Sequence, residues 1–442
     1  MTTPLSFNFM KKNYEFSLEE TNKYSVSDIS INGRDYKILG NEDSVSLLHL
    51  LIPTMEPSSF ENMLKFKASL ENLESDDKVK SAAEKVLNSE SVENSSEAKK
   101  KLKNEINLFL ENAVKEKNFR GAVLVIQNGN EILKQGYGDK ELTNQTTFHI
   151  ASITKSFTSA MILELHQQKK LSLDDPINKL LPVKYQCKEW NDITVKHLLN
   201  HTSGIPNFNP DAGDQKEYQL DDLINIFKDK KLDFKPGTEV AYCNSGYALL
   251  GAILENLYEK PFAECINERI LTRFEMNTTG FGDTYNKKTA AQGYEVRSEE
   301  NSTDSSLVPI AKQGSYLSKA YAGGALYSSL DDLQKFDSAL YNDNFLTPET
   351  RKLMFTQTYL PGEENPSMMG LGFKIWNDKD NLGLIVSKEG AIPGFSTIIQ
   401  RYVDSKSCII VLSNNGSLNA EPEIAMKIEE MLAKVKKPKQ MG

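Results

Sequence analysis

Residues 151–176 read "ASITKSFTSAMILELHQQKKLSLDDP". From Ser152 onward the apolar residues recur at helical spacing, so the stretch predicts a helix whose Phe157, Met161 and Leu165 stripe faces a core. Asp174-Asp175-Pro176 reads as a turn and the boundary of the next helix. On the first helix Ser152 and Lys155 lie three residues apart on one face. A serine at a helix N-terminus sits beside free backbone N–H groups and the positive end of the helix dipole, and both favour a developing anion. A lysine one turn on can take the serine proton if burial or a neighbouring cation lowers its pKa. The same Ser-x-x-Lys spacing occurs at Ser75 and Ser96, in strongly polar stretches that read as solvated helix. The motif alone therefore does not separate a nucleophile from chance.

Working outward, "GAVLVIQNGNEILKQGYG" (121–138) predicts two strands joined at Asn128-Gly129, a dipeptide suited to a tight hairpin turn. Before it, Ile106, Phe109, Leu110, Ala113 and Val114 form one helical stripe. Beyond the long middle region, "LGLIVSKEGA" (382–391), "FSTIIQRYV" (395–403) and "SCIIVLSNN" (407–415) read as strands, followed by a helix over about 421–435. The pattern predicts an α+β fold, an antiparallel sheet whose first and last strands flank a helical insertion. Residues 1–95 are expected to form a small N-terminal α+β unit with a polar linker, and residues 96–442 the main domain. In the former, "YSVSDISINGRDYKIL" (24–39) predicts a hairpin about Asn32-Gly33, and the pattern turns helical from Ser58 to Leu87. "NSESVENSSEAKKK" (88–101) reads as a linker or as the exposed start of the next helix.

The 442 residues carry a formal charge of −9, which disfavours nucleic acid and anionic membrane surfaces as partners and suits a neutral or cationic small substrate. No run of about 18 apolar residues suggests a membrane span, and "MTTPLSFNFMKKNYEF" lacks the pattern of a signal peptide. The expected location is cytoplasmic, or exported by a route that reads no such signal. The four cysteines, Cys187, Cys243, Cys265 and Cys408, have no paired spacing, which suits buried thiols in a reducing compartment.

Two further segments could carry chemistry. In "FKPGTEVAYCNSGYALLG" (234–251), Tyr242 and Asn244 fall on a loop just ahead of a helix. A phenol becomes basic near two ammonium groups, and Asn244 could bind a substrate amide or the lysine. The same pair also fits a core tyrosine and a helix-capping asparagine. In "SKEGAIPGF" (387–395), Lys388 ends a strand, and Gly390 would let a substrate backbone approach closely. Lys-x-Gly recurs at Lys235 and Lys312, so only position distinguishes this copy. His197 and His201, four apart in "HLLNH", lack the acidic residue of a metalloprotease site and read as a helix end, so no metal or cofactor is expected. His149 reads as a packing residue, and Cys243 as a packed thiol.

Taken in order, Ser152-x-x-Lys155, Tyr242-x-Asn244 and Lys388-x-Gly390 resemble the three active-site motifs of the serine β-lactamase and penicillin-binding-protein superfamily. The flanking "LSLDDPINKLLP", "ITVKHLLNHTSGI", "AGGALYSSLDDLQKF" and "GLGFKIW" are closest to its class C-like, β-lactamase-related hydrolase and esterase branch. The resemblance runs from about Leu102 to Val435. It implies that Ser152 attacks a carbonyl carbon, that Lys155 and Tyr242 share its proton, and that the backbone N–H groups of Ser152 and Ala391 form the oxyanion hole. Asn244 would orient substrate, and Lys388 would keep Tyr242 basic. Glu389 departs from the pattern, because that position in β-lactamases is usually a small hydroxyl residue that helps hold the antibiotic carboxylate. A glutamate there repels an anionic ligand. The expected activity is hydrolysis of a small ester, amide or peptide through an acyl-enzyme. The alternatives are a β-lactamase or D-alanyl-D-alanine carboxypeptidase, and a catalytically silent binding protein on the same fold. The sequence leaves the oligomeric state open.

Overall fold

The structure is a computed structural model. It describes residues 6–9, 12–15, 25–31, 34–40, 45–48, 76–139, 141–208, 216–282, 284, 289–298, 305–310, 314–362, 367–378 and 382–436. The chain divides into two compact units, Met1–Lys101 and Leu102–Gly442. In the first, strands Ser25–Ile31 and Arg34–Gly40 pair antiparallel with Ile31 opposite Arg34, and Val45–Leu48 adds a third strand. The Asn32-Gly33 turn between the first two lies outside the described residues, as does the part of the expected Ser58–Leu87 helix before Asp76. From there helix α1, Asp76–Lys117, runs without a break. The polar stretch 88–101 is thus helix, in keeping with its helix-forming Glu, Ala and Lys and its lack of Gly or Pro.

Asn128 and Gly129 both have positive φ, 51° and 75°, as a two-residue hairpin of the twist-compatible type requires. They join β1, Gly121–Gln127, to β2, Asn130–Tyr137. The remaining strands come from the far end of the chain: β3, Lys374–Asp378, β4, Gly383–Ile392, β5, Phe395–Tyr402, and β6, Ser407–Ser413. Together they make a six-stranded sheet in the order β3-β4-β5-β6-β1-β2, with every pair antiparallel. The first strands therefore join the last, and residues between β2 and β3 form the helical insertion.

Both faces of the sheet are covered, which is why strands such as β1 and β6 read as near-continuous apolar runs. One face, with Val123, Val125, Ile398, Ile409 and Val411, packs under the α1 residues Leu102, Ile106 and Leu110. The C-terminal helix α5, Met426–Lys436, preceded by a wider turn over Glu421–Ala425, closes that layer through Ile428 and Leu432. The opposite face, with Ala122, Leu124, Val386, Ile399, Ile410 and Leu412, packs on the insertion, centred on helix α2, Thr154–Gln167. The molecule is an α+β protein of the expected kind. Among the described residues no helix is long and apolar enough to cross a membrane.

Helix α2 is buried on all sides from Thr154 to Leu165. Its polar side chains must then find partners inside. Thr158 Oγ1 donates to the Ala322 carbonyl at 2.6 Å, Ser159 shares a 3.1 Å hydrogen bond with Tyr247, and Ser156 bonds back to the Ile153 carbonyl. Phe157, Met161 and Leu165 are fully buried, as their stripe predicted. All four cysteines are free thiols, with Cys187 partly exposed and the other three buried.

Candidate active site

The turn that presents Ser152 is built from both sides. Ala151 adopts φ +46°, an unusual conformation for alanine, so the chain bends sharply before a single tight turn leads into α2. β4 closes on this bend at Gly390, where a Cβ atom would stand 2.1 Å from the Ile150 carbonyl oxygen. The Thr397 hydroxyl bonds both the Ile150 and Gly390 carbonyls at 3.2 Å. The glycine expected to admit a substrate backbone thus admits the protein's own.

Lys155, one turn beyond Ser152, is completely buried. Its Nζ lies 3.1 Å from Ser152 Oγ, 2.9 Å from Asn244 Oδ1 and 2.7 Å from the Gly323 carbonyl oxygen. Burial, and secondarily the charge of Lys388, push its pKa well below the usual lysine range. A neutral amine has two N–H donors and one lone pair. With Asn244 Oδ1 and the Gly323 carbonyl as fixed acceptors, the lone pair is left for Ser152.

Tyr242 stands on the other side of the serine, its hydroxyl donating to Ser152 Oγ at 2.7 Å. Both Lys155 Nζ and Lys388 Nζ lie 4.9 Å from the centre of its ring. Lys388 is buried on β4, and burial pushes its pKa down to about 7, against the opposing effect of Glu389. After the short helix α3, Val195–Leu199, the next helix to reach the site is α4, Asn244–Tyr258, which begins at Asn244 itself. Cys243 caps α4 by accepting from the Gly246 N–H, and burial raises its thiol pKa, consistent with a packed thiol. The Asn244 N–H donates to Asn207 Oδ1 at 2.7 Å, leaving the Asn244 side chain to face Lys155.

Period-2 alternation along β4 places Lys388 and Glu389 on opposite faces. Glu389 lies opposite Ile398, a residue of the α1 and α5 layer, and forms an ion pair with Lys374 of β3. Ala391 follows Gly390 on β4 and is exposed.

His149 lies on a two-residue strand with its ring edge-on to Phe395 at 5.2 Å, and burial pushes its pKa down to about 4. His197 belongs to the N-terminal cap of α3, its Nδ1 accepting from the Thr194 N–H. His201 does not share that helix; it sits under Tyr242. Among the described residues no group of three or more His, Cys, Asp and Glu could hold a metal ion. Three contributors escaped the sequence reading. Gly323 acts through its carbonyl, which has no residue signature; Asn207 and Lys374 act through partners distant in sequence.

A penicillin-binding protein of Bacillus subtilis (strain 168) is 29% identical over 334 residues, 71% of this chain and 72% of that protein. The octameric penicillin-binding protein homologue from Pyrococcus abyssi superposes with a TM-score of 0.64 at 25% identity, covering 74% of this chain and 77% of that one. The D-amino acid amidase of Ochrobactrum anthropi SV3, in complex with D-phenylalanine, shares the fold with a TM-score of 0.63 at 22% identity, over 76% of this chain and 100% of its own. Residues 106–429 match the Beta-lactamase family, as the three ordered motifs implied, and the chain belongs to that family.

Proposed function

We propose that the protein is a serine hydrolase that cleaves an ester or amide through an acyl-enzyme on Ser152. The observation that carries this reading is Ser152 Oγ held between Lys155 Nζ at 3.1 Å and the Tyr242 hydroxyl at 2.7 Å. Ser152 Oγ attacks the carbonyl carbon while its proton passes to the Lys155 and Tyr242 pair. The carbonyl oxygen becomes an oxyanion facing the backbone N–H groups of Ser152 and Ala391, where each donor typically contributes about 10² to 10³ in rate. Collapse of the tetrahedral intermediate breaks the bond to the leaving alcohol or amine, which takes the proton. Water, deprotonated by the same pair, then releases the acid and restores Ser152.

Asn244 orients both Lys155 and substrate, and Lys388 supplies positive potential to Tyr242. The motif lacks the small hydroxyl residue that would help hold a carboxylate, and Glu389 in its place turns to the opposite face of β4 from Lys388, so a neutral or cationic acyl donor fits best. Esterase or peptidase activity is therefore favoured over antibiotic hydrolysis. The likeness to a penicillin-binding protein supports a second reading, β-lactam or D-alanyl-D-alanine recognition. Labelling with a fluorophosphonate and intact-mass analysis tests the first. One adduct, absent in Ser152→Ala, is expected; folded protein with no adduct would overturn it. Turnover of a chromogenic cephalosporin, lost in Ser152→Ala, would establish the second.

A further inference from the structure

His201 grips the Tyr242 segment from three directions. Its carbonyl oxygen accepts the Ala241 N–H at 3.0 Å, and its Nδ1 accepts the Cys243 N–H at 3.1 Å, so one residue holds the backbone on both sides of Tyr242. Its ring lies against the Tyr242 ring, centroids 4.5 Å apart and planes inclined by 35°. The imidazole also faces the Tyr247 ring, at 5.3 Å, and Tyr247 in turn meets Ser159 of α2.

This grip depends on an unusual backbone. His201 has φ +63°, a left-handed conformation that only a few per cent of non-glycine residues adopt. It follows directly on the end of α3, where the Thr202 N–H returns to the His197 carbonyl. The same short segment continues the hold, since the Thr202 carbonyl accepts from Gly237 and the Gly204 carbonyl from Asp233. The loop from 233 to 243 is thus laced to residues 201–204, and Tyr242 is its exposed tip.

We infer that His201 is a positioning residue for Tyr242, a neutral imidazole that sets where the phenol meets Ser152. The inference rests on the proposed role of Tyr242. Both ring nitrogens cannot carry protons while Nδ1 accepts the Cys243 N–H, so the imidazole is committed to the Nε2–H form. Lys155 and Lys388 oppose its protonation, and burial opposes it more strongly still. A packing role alone would be met by any residue of similar size. The two backbone bonds and the left-handed φ require an acceptor that tolerates that conformation.

Asparagine meets both requirements better than alanine, because it enters the left-handed region readily and carries a side-chain acceptor. The test compares His201→Asn and His201→Ala by ester hydrolysis and by NMR of protein labelled at tyrosine Cζ, with Tyr242→Phe identifying the Tyr242 resonance. In His201→Ala we expect kcat to fall about 10- to 100-fold with KM little changed, the scale of a reacting group displaced by about 1 Å. The Tyr242 resonance should move, and His201→Asn should recover most of kcat. Folded His201→Ala with an unmoved Tyr242 resonance overturns the inference. If His201→Ala does not fold, His201→Asn decides: a kcat as low as that of Tyr242→Phe overturns it, and a kcat within a few-fold of the parent supports it. The NMR readout needs no turnover. A shifted resonance alongside a Tyr242→Phe variant of full activity would keep the positioning and discard the catalytic role of Tyr242.

Discussion

The carbonyl oxygen of Gly323 lies 2.7 Å from Nζ of Lys155, across 168 residues of sequence. Together with Asn244 Oδ1 it occupies the two N–H donors that a neutral lysine has, and so aims the lone pair at Ser152. The catalytic proposal depends on that direction as much as on the lowered pKa.

Replacing Lys155 should therefore be more damaging than loss of a charge. Lys155→Met should lower kcat/KM for a p-nitrophenyl ester by about 10² to 10⁴, the usual share of a general base. Lys155→Arg should not restore it, because guanidinium keeps its proton. Steady-state assays of the two variants, with circular dichroism as the folding check, decide the matter; restoration by arginine would sink the base assignment.

Lys388 gives a pH dependence with a definite sign. Its pKa is near 7, so the positive charge it places beside Tyr242 is present below that pH and lost above it. Activity should fall as pH rises through about 7, and Lys388→Arg should carry the falling limb to higher pH, since guanidinium stays charged. A limb that stays in place would assign it to another group.

The same residue affects stability in the opposite direction. Between about pH 7 and the ordinary 10.5 the unfolded chain keeps a proton on Lys388 that the folded protein has released. Stability from this group rises with pH across that window and is lowest below it. Thermal melts should show the parent gaining on Lys388→Met between pH 6 and 9.

Glu389 raises the pKa of Lys388 in the folded protein. Glu389→Thr should move the falling limb of activity to lower pH for neutral and anionic acyl donors alike, because its carboxylate acts on Lys388 from the opposite face of β4. The comparison is a neutral ester of equal length. A larger gain for the anionic donor would mean that Glu389 reaches the cleft and does not act only through the sheet.

Gly390→Ala should destabilise by about 1 to 3 kcal/mol, the range for overfilling a packed site. Its Cβ would meet the Ile150 carbonyl oxygen at 2.1 Å and the Thr397 hydroxyl at 2.7 Å. Neither backbone can yield without moving the Ser152 turn, so denaturant melts and ester turnover should decline together.

Periodicity and turn chemistry alone determined the strands β1, β2, β4, β5 and β6, the helix behind Ser152 and the hairpin at Asn128-Gly129. Each of those depends on neighbours within a few residues, where spacing and backbone preference act directly. The ordered motifs also identified the family. What no local pattern could supply was the difference between equal spacings: Ser96 and Lys99 lie on α1, where Lys99 is partly exposed, whereas Lys155 on α2 is wholly buried. The tertiary structure alone decided that burial, and with it the basicity of Lys155 and Lys388. It also decided the Gly323 acceptor, the partner of Glu389 and the hold of His201 on Tyr242. These contacts join residues that are not neighbours in sequence, through strand pairing, backbone atoms and desolvation that no local pattern marks.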